Sequence, residues 1–151
     1  KIINELEEYA LEQNDSSSLR KLYNKMAAKY LSLSDAKNAI FYFKKTIPIA
    51  LKQEDTVRIG HAYTNIGTVH YSILKNHDSA IFYYKKAIPF LKKHKDYQSL
   101  AYNYNNQAQQ YKKVEKYKQA INYYKKADSI PLKNNISKSK LICPDDGNQP
   151  N

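Results

Sequence analysis

Amide and amino side chains recur along this chain at places where they could hold a partner rather than transform one. Asn65 and Asn106 stand at equivalent points of two similar segments, and Asn24 lies one residue off the same register in a third. A side-chain amide both donates and accepts, so a row of them can hydrogen-bond an extended peptide backbone without reading its sequence. On the same predicted faces stand Lys21 and Lys25 in the first segment and His61, Thr64 and Thr68 in the second. The third segment adds Tyr102, Asn105, Gln109 and Lys113. Lysines at the two ends of such a row would favour acidic residues or a C-terminal carboxylate. The pairs Lys44-Lys45, Lys85-Lys86 and Lys125-Lys126 form a second periodic set, expected to stack into a basic ridge that could attract phosphates.

Residues that would do bond-making chemistry do not assemble into any pattern. His61, His70, His77 and His94 have no metal-ligand spacing, no glycine-rich phosphate loop is present, and no nucleophile–base set can be argued. The expectation is therefore no enzyme, no metal and no cofactor. Glu5, Glu7 and Glu8 sit near the start and Asp145-Asp146 near the end, where solvation explains them. A lone Cys143 excludes an internal disulfide and leaves the compartment open.

The elements that must position these side chains are announced by repetition. The stretch Ala39-Ile40-Phe41-Tyr42-Phe43-Lys44-Lys45-Thr46-Ile47-Pro48 returns as Ala80-Ile81-Phe82-Tyr83-Tyr84-Lys85-Lys86-Ala87-Ile88-Pro89. It comes back again as Ala120-Ile121-Asn122-Tyr123-Tyr124-Lys125-Lys126-Ala127, so the period is 41 and then 40 residues. A period of this size marks a repeat architecture. Upstream of each copy lies a second apolar pattern: Leu22, Tyr23, Met26, Ala27, Tyr30; then Ala62, Tyr63, Ile66, Gly67, His70; then Tyr104, Gln107, Ala108, Tyr111. Both patterns have i, i+3, i+4, i+7 spacing, so each unit is two amphipathic helices that must pair and then stack on their neighbours. Asp15, Asp55 and Asp96 precede the first helix of each unit and are expected to cap it. Ser34-Asp35, Asn76-His77-Asp78 and Glu115-Lys116 are the turns within units, the second one residue longer than the others. Pro48 and Pro89 recur inside the second helix, and the apolar stripe continues beyond each, which predicts a helix that runs on through a bend rather than one that stops.

These residues resemble the tetratricopeptide repeat, whose pattern is a large aromatic, Leu-Gly, Tyr, Ala, an aromatic four residues on, and a further Ala. The third unit reads Tyr104, Gln107-Ala108, Tyr111, Ala120, Tyr124, Ala127; the second reads Tyr63, Ile66-Gly67, His70, Ala80, Tyr84, Ala87. The first reads Tyr23, Met26-Ala27, Tyr30, Ala39, Phe43, Thr46. Gln107, His70 and Thr46 depart from the family pattern. The period of about 40 exceeds the usual 34 and is similar to the long-repeat branch of kinesin light chains and bacterial peptide-sensing regulators. The resemblance implies an all-α, right-handed solenoid whose first helices line a concave groove for peptides. The two-Lys-plus-two-Asn carboxylate clamp of chaperone-binding members is not reproduced position by position.

Tyr9-Ala10-Leu11-Glu12-Gln13-Asn14-Asp15 aligns with Ile49-Ala50-Leu51-Lys52-Gln53-Glu54-Asp55, so residues 1–13 are expected to be the second helix of a preceding, truncated repeat. Units then span 16–54, 56–95 and 97–133, and 134–151 is a polar tail, a linker or the start of a further helix. The chain of 151 residues carries a net charge of +11, and it has no apolar run long enough to cross a membrane. The expected function is a non-catalytic scaffold binding a protein or extended peptide of acidic character. The alternatives are the sensor or dimerisation region of a larger bacterial signalling or transcriptional regulator, and an anionic partner or nucleic acid held along the lysine ridge. Open solenoid ends would also permit homo-oligomers.

Overall fold

Seven helices account for nearly all of the chain that the computed structural model describes, residues 2–131. They are α1 (Ile2–Glu12), α2 (Ser16–Ser32), α3 (Ala36–Lys52), α4 (Thr56–Ser72), α5 (His77–Lys93), α6 (Tyr97–Lys113) and α7 (Tyr117–Asp128). Each packs on the helix before and the helix after it, and α4 also touches α6. No strand occurs among the described residues. The result is an all-α solenoid in which α2 pairs with α3, α4 with α5 and α6 with α7. The expected tail at 134–151, with Cys143 and Asp145-Asp146, lies outside the described residues.

The helices begin and end where short-range chemistry tells them to. Asp15 and Asp96 cap as expected, their carboxylates accepting from the backbone N–H of Ser18 (3.0 Å) and Ser99 (3.1 Å). Asp55 departs from expectation: it makes no side-chain cap bond, and its carboxylate turns instead to Arg58 at 3.3 Å. Two residues read only as turn-formers are caps, Asp35 accepting from Asn38 N–H (3.1 Å) and Asn76 from Ser79 N–H (2.9 Å). The residue before each cap has a positive φ: Asn14, Ser34, Glu54, Lys75, Lys95 and Glu115 lie between 50° and 59°. In five joints the cap residue's own N–H returns to the helix just finished, as in Asp15 to Ala10 O, Asp55 to Ala50 O and Asp96 to Leu91 O. That is a Schellman closure, so one residue ends a helix and starts the next. The longer turn between α4 and α5 closes one position wider, Asn76 N–H reaching His70 O at 2.9 Å.

Small residues allow paired helices to approach closely. Ala27, Ala39, Ala80, Ala108 and Ala120 are buried, and so is Gly67. A Cβ on Gly67 would meet the Tyr84 ring at 2.8 Å, so the glycine is what lets that ring pass between α4 and α5. Tyr84, Ile66, Ile59 and Leu91 are fully buried, each contributing about 1.5–3 kcal/mol of transfer free energy. Pro48 and Pro89 lie inside α3 and α5, which continue for four residues past each. Two departures from the family pattern have local explanations. Thr46 is buried but donates its hydroxyl to Phe43 O at 2.7 Å, and Gln107 is buried within a side-chain hydrogen-bond network.

Candidate protein-binding face and lysine ridge

Helices α2, α4 and α6 carry the polar positions singled out from the sequence, but the structure divides these into two groups. His61 and Thr64 do not face solvent: they are 4 % and 0 % exposed. Their neighbour is α6. His61 Nε2 lies 2.6 Å from Asp96 Oδ2 and 3.2 Å from Ser99 Oγ. Burial by itself would raise the Asp96 pKa, but the hydrogen bonds from His61 and Ser99 outweigh it and hold the carboxyl below its ordinary value. One turn further along, Asn103 Nδ2 donates to Thr64 Oγ1 (3.1 Å), Thr64 Oγ1 donates to Gly60 O (3.0 Å), and Gln107 Nε2 donates to Asn103 Oδ1 (2.8 Å). Thr68 Oγ1 stands 3.3 Å from the Tyr84 hydroxyl, which Asn106 also reaches. Burial pushes the Tyr84 hydroxyl's pKa strongly upward, so it stays neutral and available as a donor. At the far end His77 Nδ1 meets Gln110 Oε1 at 2.8 Å.

A polar seam thus locks α4 and α5 to α6. Its members Asp96, Ser99, Asn103, Gln107 and Gln110 were not among the expected site residues. The signal for them was present: Asn103 and Gln107 occupy positions held by Leu22 and Met26, and by Ala62 and Ile66, in the other units. A polar residue on an apolar stripe calls for a buried partner.

The remaining expected groove residues do reach the surface. Lys21, Lys25, Gln109 and Lys113 are exposed, while Asn24, Asn65, Thr68, Tyr102, Asn105 and Asn106 are half-buried. Asn65 and Asn106 keep equivalent places on α4 and α6.

With this geometry in view, the profile of the tetratricopeptide repeat matches residues 58–88 and 101–134, the spans of α4–α5 and α6–α7. The chain is a tetratricopeptide repeat protein. No curated protein matches it. Tetratricopeptide repeats mediate protein–protein interaction and serve as scaffolds that are typically non-catalytic, which gives this tetratricopeptide repeat protein protein partners in general terms. Among the described residues no three His, Cys, Asp or Glu side chains gather as a metal site would require, and no helix is long and apolar enough to cross a membrane.

The lysine pairs of this tetratricopeptide repeat protein have a structural role that their sequence concealed. The second lysine of each pair lies over its own unit's first-helix tyrosine: Lys45 over Tyr23 (4.8 Å), Lys86 over Tyr63 (5.5 Å) and Lys126 over Tyr104 (6.0 Å). Each also covers a second ring, Phe41 at 5.1 Å, Phe82 at 4.7 Å and Tyr123 at 4.5 Å. Such contacts are worth about 0.5–1 kcal/mol each at exposed sites. Lys45 additionally pairs with Glu7 (2.8 Å), whose same oxygen accepts from the Tyr23 hydroxyl at 2.6 Å. Glu7 is therefore not merely solvated: the bonds from Lys45 and Tyr23 hold its carboxyl below the usual range. Of the first lysines, Lys85 approaches the Tyr111 ring at 5.7 Å, and Lys44 and Lys125 are exposed. Tyr42, Tyr83 and Tyr123 pack between helices, stacked on Tyr30, His70 and Tyr111 respectively.

Proposed function

We propose that this protein is a non-catalytic scaffold module that binds an extended peptide of acidic character across the face built by α2, α4 and α6. The observation that supports this most directly is the contrast between two kinds of amide. Asn103 and Gln107 are consumed in the seam between helices, whereas Asn65 and Asn106, one unit apart in equivalent places, are half-exposed. Spaced by one repeat, the latter two could each pair with a peptide group of the same extended chain. Exposed Lys21 and Lys25 at one end of the row and Lys113 at the other supply the preference for acidic side chains. The half-exposed Thr68 and Tyr102 complete the surface between them, while His61 and Thr64 support it from behind.

The test is a screen of this domain against an array of extended peptides graded in net charge, followed by affinity measurement on the best binder. Each lost hydrogen bond is worth about 0.5–1.5 kcal/mol, so Asn65→Ala with Asn106→Ala should weaken binding roughly 5- to 150-fold, with a small fall in Tm from the lost contact of Asn106 with the Tyr84 hydroxyl. Lys44→Ala with Lys125→Ala, on exposed ridge positions, should leave it intact. Equal binding by parent and double amide variant would sink the groove reading, and loss on the Lys44/Lys125 variant alone would move the site to the ridge.

A further inference from the structure

The outer side of α7 has an apolar stripe that the described residues leave open. Tyr117 is 58 % exposed, Ile121 55 % and Tyr124 36 %. Their counterparts one unit earlier are His77, Ile81 and Tyr84, and Ile81 and Tyr84 are buried at 7 % and 0 %. There the next helix supplies the cover: Ile81 clusters with Tyr111 of α6, just as Phe43 of α3 clusters with Ile66 and Val69 of α4. Helix α7 thus presents the face on which, twice earlier in the array, another helix sits.

The opposite end offers a helix of matching character. α1 has 11 residues against the 12 of α7. Its Leu6 and Tyr9 are 49 % and 63 % exposed, and beside them Glu5, Glu8 and Glu12 are exposed. No lysine or arginine lies on this helix. Around the α7 stripe the charges are reversed, with Lys112, Lys113, Lys116 and Lys118 all exposed. An open cleft of about 440 Å³ there is bordered by Gln109, Lys112, Lys113, Glu115, Tyr117 and Tyr124, with Glu115 its one acidic residue. Two α7 ends would repel one another, and so would two α1 ends, which disfavours a symmetric pairing.

We propose that a second copy of this chain covers the stripe: α1 of one molecule lies along Tyr117, Ile121 and Tyr124 of another. Leu6 and Tyr9 meet the apolar stripe, and Glu5, Glu8 and Glu12 face the lysines. Because the two surfaces differ, the contact is heterologous, and each joined pair keeps one free α1 face and one free α7 stripe. Assembly is then head-to-tail and weakens with salt, since the flanking ion pairs are exposed to solvent.

Sedimentation of the 151-residue chain from micromolar to near-millimolar concentration, at low and high salt, tests this. The average mass should climb with concentration past that of a dimer at low salt, and fall back at high salt. Ile121→Asp alters a residue already exposed, so its Tm should hold while association weakens about tenfold or more. Glu5→Lys with Glu8→Lys should fail to associate alone, as should Lys112→Glu with Lys118→Glu, and mixing the two variants should restore association as an alternating head-to-tail array. A chain that stays monomeric throughout, or associates regardless of Ile121→Asp, overturns the proposal. So does assembly that appears only after residues 132–151 are removed, which would assign the stripe to that segment. The groove variant Asn65→Ala/Asn106→Ala should assemble normally, so this proposal and the peptide-binding one fail independently.

Discussion

His70 stands where the other two units carry Tyr30 and Tyr111, and its environment has not been adapted to a titrating group. The ring stacks on Tyr83 at 5.1 Å with 16° between planes, and its Nδ1 is buried without a hydrogen-bond partner. Burial, and secondarily the charge of Lys44, lower its pKa. Its folded pKa thus lies below the ordinary 6.5, so the folded state favours the neutral ring. The stability it contributes is complete above the unfolded pKa and is lost as pH falls through the folded one. Replacing it by the ring of the other units, His70→Tyr, should change stability by less than about 1.5 kcal/mol at pH 8 as a ring-for-ring exchange. At acidic pH the variant should gain on the parent, and thermal melts across the pH range would show the two curves separating. A constant difference in Tm would mean that His70 is not protonated on unfolding. At this scale the sequence was partly legible. The mismatch at His70 showed in the alignment, whereas the stacking of Lys45, Lys86 and Lys126 over rings did not. A lysine that follows an aromatic run looks the same whether its amino group enters water or lies across a tyrosine on the preceding helix.

Among the elements, the joints carry the most information. Five of the six residues with φ between 50° and 59° are not of the types that visit this region at low cost, Asn14 being the exception. A side chain with Cβ costs about 1–2 kcal/mol there, and glycine returns part of that gain as greater freedom in the unfolded chain. Lys95→Gly, at φ 55°, should therefore stabilise by about 0.5–1 kcal/mol, read as a higher denaturant midpoint at unchanged slope. A lower midpoint would show that the lysine side chain makes up for its own backbone strain. Helix pairing, turn positions and passage through Pro48 and Pro89 were all legible, because they depend on periodicity and on residues a few places apart. The failure of Asp55 to cap was not. It shares its position with Asp15 and Asp96, and only Arg58 one turn on diverts its carboxylate.

The molecule as a whole has stability that should vary along its length. α1 packs chiefly on α2, through Ala10, with the Glu7–Lys45 pair tying it to α3, while α4 and α5 are packed on both sides and joined to α6 by the polar seam. In an array where each unit depends on its neighbours, ends open first. Amide hydrogen exchange at dilute concentration should release α1 earliest and α4 to α6 last. Uniform exchange would mean that the array unfolds as one block. The solenoid could be read from the repeat alone, because three agreeing copies leave little choice of architecture. The division of its polar face into seam and surface could not, since it depends on which turn of α4 meets α6, and His61 and Asn65 are only one helical turn apart.

Each joint between helices is closed by backbone bonds between residues no more than six positions apart. In its backbone bonds, nothing at a joint refers to what lies two helices away. A length of chain cut at one such point and spliced into another would carry its own stop and its own start. Copying 40 or 41 residues at a stroke would lengthen the array without redesigning the backbone. What would resist such an exchange is the contact between side chains of successive units. Phe43, with no hydroxyl, stands where Tyr84 reaches Thr68, and Leu22 stands where Asn103 reaches Thr64. The units are interchangeable in their backbone and particular in their neighbours, so their order along the chain is written in the seam.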